Sequence, residues 1–177
     1  MKSVSRIIAG IVMLVLATES VVLAIGSKNA AYFGGTVTTF EGASDPIEGL
    51  LDTTNSERLV FTSIDKKFRG KVFSIPYARV LDLEYGQKAG RRVGTAVATT
   101  VLLGPIGLLS LFSKKRKHYL TIGFKDDTDK DQVAVIELGK DIVRATLPIV
   151  ETRSGKKVEY QDEEARKSGR VGYGVGI

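Results

Sequence analysis

The 177-residue chain has no cysteine and a single histidine, His118. Without thiols there is no disulfide, no thiol nucleophile, no thiolate metal site and no lipid-modified N-terminal cysteine. With one imidazole, any catalytic dyad or triad would depend on His118, and no nucleophile motif stands beside it. A histidine-based metal centre fails for want of a second ligand. Asp127, Asp129 and Asp131 begin as a calcium loop does, but the glycine required next is Gln132. The closing acidic position holds Leu138, with Glu137 one place short, so an ordinary solvated turn is the better reading. No phosphate-cradle spacing of glycines occurs. These absences predict no catalytic residue, no metal, no cofactor and no enzymatic activity.

Charge is missing from one long stretch. Val93 to Phe112 (VGTAVATTVLLGPIGLLSLF) holds twenty uncharged residues, with Gly104-Pro105 near its middle. Arg91 and Arg92 flank it on one side, and Lys114, Lys115, Arg116 and Lys117 on the other. The whole chain carries a formal charge of +6, which favours anionic partners without choosing among them. Few aromatics accompany the basic residues, so a nucleic-acid role is not supported.

At the N-terminus Lys2 and Arg6 precede an apolar run from Ile7 to Ala17, and Val22 and Ala24 stand where a signal peptidase takes small residues. Residues 1–24 thus read as a secretory signal peptide or, since apolar character resumes through Ile25, as an anchor. Either places the remainder on the outer side of the inner membrane, in the cell envelope.

Residues 25–44 read as a linker in which Tyr32–Phe40 could supply a strand. Ile47–Thr53 and Arg58–Ile64 are short strands about the turn-forming Thr54-Asn55-Ser56. After the turn Asp65–Gly70, residues Phe73, Ile75, Tyr77, Leu81, Leu83 and Tyr85 alternate with polar or small neighbours, which predicts one long half-buried strand with Arg79 as its odd member. Leu120, Ile122 and Phe124 alternate again, and Val133–Leu138 makes a further strand beyond an acidic turn. A helix follows over Lys140–Ser154, with Ile142, Val143, Thr146, Ile149 and Val150 on one side and Gly155 placed to end it. Pro148 should kink it. Residues 156–177, including Glu163 and Glu164, lack a periodic apolar face and read as a polar, disordered tail that a protein partner could recruit.

The strands IPYARVLDLEYG and HYLTIGFKD, with the terminal LGKDIVRATLPIVETRSGKKVEY, resemble a pleckstrin-homology-like barrel, including bacterial and GRAM-type relatives. The likeness covers about residues 45–155 and rests on the order of elements. It implies a mainly β fold with α structure: a small antiparallel barrel or sandwich closed by a C-terminal helix, interrupted at 91–117 by an apolar insertion. Such domains dock on membranes or proteins. A basic loop between early strands often meets headgroups in that fold, so Lys66, Lys67, Arg69 and Lys71 form a secondary anion site by position.

Three readings of Val93–Phe112 stay open. A single helix would span about 30 Å, the thickness of the hydrocarbon core, but would put the strands on opposite sides. A helical hairpin turning at Gly104-Pro105 returns both ends to one side. Val93, Val97, Val101, Leu102, Leu103, Ile106, Leu108, Leu109, Leu111 and Phe112 would then enter lipid, with Arg91, Arg92 and Lys114–Lys117 at the headgroups. The third reading is a hairpin buried against the barrel. Gly86, Gly90, Gly94 and Ala98 recur every four residues, a small-residue face suited to self-association into a homo-oligomer. The function implied is an exported, membrane-associated, non-enzymatic docking protein. The alternatives are a self-assembling structural protein and a two-span membrane protein.

Overall fold

The computed structural model describes residues 28–87 and 117–169. Eight strands form one mixed sheet: β1 Lys28–Gly35, β2 Ile47–Asp52, β3 Arg58–Ser63, β4 Val72–Pro76, β5 Val80–Gly86, β6 His118–Lys125, β7 Asp131–Leu138 and β8 Val158–Tyr160. Their spatial order is β4-β3-β2-β1-β7-β6-β5-β8. Every pairing is antiparallel except β5 with β8, which is parallel. Two helices follow the sheet, α1 Val143–Ser154 and α2 Glu163–Gly169.

The connection from β4 to β5 forces this sheet to curl. Six strand spacings separate the two strands in the sheet order, about 29 Å if the sheet were flat. Only the short 3₁₀ turn Tyr77–Arg79 joins them, and the chain from Pro76 to Val80 reaches at most about 14 Å. The two edges therefore approach each other without pairing, and the sheet is not closed. The fold is mainly β as expected, but the small antiparallel barrel or sandwich is corrected to one mixed sheet that does not close. Side chains tie the seam instead. Arg58 grips Asp127 at 3.0 Å, and Arg79 meets Asp129 at 2.7 Å while donating to the Lys125 carbonyl. Arg153 from the last turn of α1 donates to the carbonyls of Thr53 and Asn55 and lies over the Tyr77 ring, 5.5 Å from its centre.

The turns explain themselves locally. Asn55 Oδ1 accepts from the amides of Glu57 and Arg58, closing the β2–β3 turn. Between β6 and β7, Asp126 accepts from Thr128, Lys130 and Gln132, which holds its carboxyl well below the usual carboxylate range. The calcium-like carboxylates of that turn face cations: Asp127 and Asp129 as above, and Asp131 on Lys125 at 3.1 Å. Gly155 ends α1 with φ +67°, the left-handed conformation that costs glycine least.

Two expectations need correction. The long strand over Phe73–Tyr85 is interrupted, because Pro76 has no amide to continue a ladder and the chain turns at Tyr77–Arg79 to reach β5. A bulge between Val80 and Asp82 then shifts the phase, so Val80 is buried and Leu81 only half-buried. Arg79 was odd on the apolar face because it belongs to the turn. The tail is also ordered through residue 169. Val158, Glu159 and Tyr160 pair with Leu83, Glu84 and Tyr85, and Ala165 and Gly169 of α2 are buried. The apolar contacts that order it lie across the fold, so no local period announces them.

The linker assignment for 25–44 gives way to β1, which begins at Lys28 and runs between β2 and β7 at the centre of the sheet. Residues Ile142, Val143, Thr146, Ile149 and Val150 are buried as the helical period predicted, while Pro148 stands exposed inside a continuous α1.

Gly86 at the end of β5 pairs with Tyr119 at the start of β6. The described residues that flank stretch 88–116 therefore sit on neighbouring strands, and Val93–Phe112 itself, with its three readings, lies outside the described residues. Lys66→Cys and Lys125→Cys, each the sole thiol in its chain, are expected to react alike with a membrane-impermeant maleimide on intact cells. Labelling of one without the other would contradict the continuous sheet.

Candidate functional site

The turn between β3 and β4 gathers the strongest surface feature of the described residues. Asp65 Oδ1 accepts from the Lys67 amide at 2.8 Å, and the Phe68 amide donates back to the Asp65 carbonyl at 3.2 Å. Gly70, at φ +77°, reverses the chain so that its amide and that of Ser63 form a pair of bonds across the hairpin, each 2.9 Å. Phe68 is buried and packs edge-on against Phe40 at 5.6 Å, anchoring the turn in the core. Lys67 and Lys71 carry their ammonium groups over its ring at 5.1 and 5.4 Å.

That anchoring leaves Lys66, Lys67, Arg69 and Lys71 exposed together, and none of the four forms an ion pair among the described residues. The positional expectation from the sequence missed two partners. Ile64 and Val72, 42% and 48% exposed, are the large exposed hydrophobics of the described chain, and they flank the basic turn on both sides. Strand alternation was the available signal: Phe73 and Ile75 face inward, so Val72 and Ser74 face out.

The other predicted site residues fare differently. Val93, Val97, Val101, Leu102, Leu103, Ile106, Leu108, Leu109, Leu111 and Phe112 lie outside the described residues. So do Arg91, Arg92, Lys114, Lys115, Arg116, Gly90, Gly94 and Ala98. Lys117 is engaged, bonded to Glu137 at 2.8 Å and placed 6.0 Å from the Phe33 ring centre. Gly86 is a strand residue, so the four-residue repeat does not start on a helix. A Cβ there would overlap the Gln161 side chain, which packs against this glycine.

His118 opens β6 and forms a second polar group. Its Nδ1 lies 2.5 Å from the Tyr85 hydroxyl, and the two rings stack at 7° with centres 6.1 Å apart. Tyr85 is fully buried, and its hydroxyl also meets Ser168 of α2 at 3.2 Å. Burial and the nearby Lys140 push the imidazole below its ordinary pKa, with Glu137 pulling the other way. Sequence spacing offered no hint of this group, since residues 85, 118 and 168 meet only in the fold.

Among the described residues no group of three His, Cys, Asp or Glu side chains is arranged to hold a metal ion, and no helix is long and apolar enough to cross a membrane.

No protein-family model matches the chain, and no curated protein does. Among solved structures the chain is similar to the hSac2 domain from the human phosphoinositide phosphatase Sac2, with 10% identity and a TM-score of 0.45. The match covers 93% of this chain and 91% of that one. The matched domain comes from an enzyme, and on this finding the expectation that the present chain is not an enzyme is withdrawn. A likeness of this size assigns no activity to the chain.

Proposed function

We propose that this chain is a docking protein of pleckstrin-homology-like architecture that binds anionic membrane surfaces through its β3–β4 turn. The observation that carries the reading is the grouping of four exposed cations, none in an ion pair among the described residues, with two exposed aliphatic side chains, Ile64 and Val72, on one turn. Cations supply long-range attraction to phospholipid, and the aliphatic side chains enter the interface once contact is made. Each Lys or Arg near such a surface contributes about 1 kcal/mol, so the turn supplies about 4 kcal/mol before Ile64 and Val72 add theirs. That corresponds to weak, reversible docking, with a dissociation constant of about 1 mM or below. Export to the cell envelope and insertion of Val93–Phe112 as a hairpin would place the turn beside lipid and strengthen the attachment.

Flotation of the full chain with phosphatidylglycerol-containing vesicles tests the reading. Recovery with vesicles should fall as salt rises, because exposed charges are screened beyond about 10 Å at 0.1 M salt. Reversing Lys66, Lys67, Arg69 and Lys71 to glutamate should reduce binding at least tenfold, and Ile64→Ser with Val72→Ser should reduce it further at high salt. A chain that fails to float, or one whose flotation ignores the four reversals, would sink the proposal.

A further inference from the structure

We propose that the cleft beside His118 is a second binding site, selective for a phosphate monoester. The cleft has a volume of about 540 Å³ and is lined by His118, Lys140, Asp141, Arg144 and Ser168. That volume suits a small phosphorylated molecule. It lies away from the β3–β4 turn in sequence and takes its residues from β6, the start of α1 and α2, so it stands independently of the membrane reading.

Charge selects the ligand. Lys140 and Arg144 are exposed and form no ion pair among the described residues, whereas the single carboxylate lining the cleft is Asp141. The positive end of the α1 dipole adds to the same field. A phosphate monoester brings close to two negative charges at pH 7, its second pKa being about 6, while a diester brings one. Two cations beside one carboxylate discriminate in favour of the former.

His118 supplies direction. Its Nδ1 is taken by the Tyr85 hydroxyl, which buried packing and Ser168 hold in place, while Ser168 itself donates to the Ala165 carbonyl at 2.9 Å. The Tyr85 contact leaves Nε2 without a hydrogen bond among the described residues, and in the protonated imidazole that nitrogen is a donor to a bound anion. The charged and titratable groups around the ring are Tyr85 of β5, Glu137 of β7, Lys140 and Asp141 before α1, and Arg144 within it. A bound phosphate would offset the repulsion from Lys140 and raise the imidazole pKa from its lowered state.

Because His118 is the only histidine, its ring resonances are identified without assignment. Titrating the full chain with inorganic phosphate and then glycerol 3-phosphate should shift those resonances saturably. It should also raise the imidazole midpoint by about half a pH unit or more. Lys140→Ala with Arg144→Ala, both exposed positions, should weaken binding at least tenfold and leave the melting temperature unchanged. Short-chain phosphatidic acid below its micelle concentration distinguishes a lipid headgroup from a soluble ligand, and dimethyl phosphate, a soluble diester, should leave the His118 resonances in place. The proposal fails if phosphate gives no saturable shift, if the double variant binds as well, or if the diester acts equally.

Discussion

Phe61→Ala is expected to cost about 3–5 kcal/mol, the range for deleting a buried aromatic side chain from a packed core. Phe61 is 0% exposed at the centre of β3. Its ring stacks on Phe73 of β4 at 5.2 Å, meets Phe40 edge-on at 5.9 Å and tilts against Tyr32 of β1 at 6.5 Å. Three separate elements therefore lean on one ring, and none can follow it inward without abandoning the others. Leu51 of β2 stands opposite, and at the diagonal position Gly49 has no side chain to move into the hole, since a Cβ there would run into the ring and lie 2.7 Å from the Thr62 carbonyl oxygen. Denaturant unfolding would read the loss as a lower midpoint at constant slope. A cost near 1 kcal/mol would mean that the site collapses and the aromatic cluster is loosely packed.

The second large effect is expected from a single methyl group. Gly35→Ala should destabilise by about 3 kcal/mol or more, from a strained backbone and an unavoidable overlap together. Gly35 sits at φ +131°, where L side chains are rarely found. A Cβ there would overlap the Val133 carbonyl oxygen and lie 2.8 Å from its carbon, and both are backbone atoms that no rotamer change can move. The position follows the register shift between Tyr32 and Gly34 in the β1–β7 ladder. Just beyond it the Thr36 amide bonds the Val133 carbonyl at 2.9 Å, and the Thr36 hydroxyl takes the Val133 amide at 2.8 Å. Displacing Val133 would thus disturb the join between the two halves of the sheet. Gly42→Ala provides the comparison, since Gly42 also has positive φ, +77°, with nothing within 4 Å of its Cβ position. It should cost only about 1 kcal/mol, the backbone penalty alone. Equal melting temperatures for the two variants would remove the overlap from the explanation.

Much of the secondary structure was legible because it rests on short-range periodicity. The alternation through β3 and β6 and the helical spacing of α1 are local patterns, and a side chain's burial on one face imposes them residue by residue. The interrupted strand at Pro76 shows where that logic stops. Phe73, Ile75, Tyr77, Leu83 and Tyr85 are buried at odd positions on both sides of the turn, but Val80 is buried and Leu81 only half-buried, so the odd-numbered apolar residues do not mark one unbroken strand. Ile64 and Val72 could have been found by following the alternation outward, whereas α2 could not, since Ala165 and Gly169 have apolar neighbours only across the fold.

By itself the sequence determined what chemistry is absent, the composition of the β3–β4 turn, the apolar stretch 93–112 with its basic flanks, and the strands and helix whose periods run within a few residues. The tertiary structure decided what those residues do together. The β4–β5 link curls an eight-stranded sheet because three residues cannot cross its flat width. The burial of Phe68 turns the Lys66–Lys71 cations outward beside Ile64 and Val72, and the docking of α2 brings Ser168 to Tyr85 and His118. Each depends on contacts between residues far apart in the chain, whose geometry no local pattern encodes.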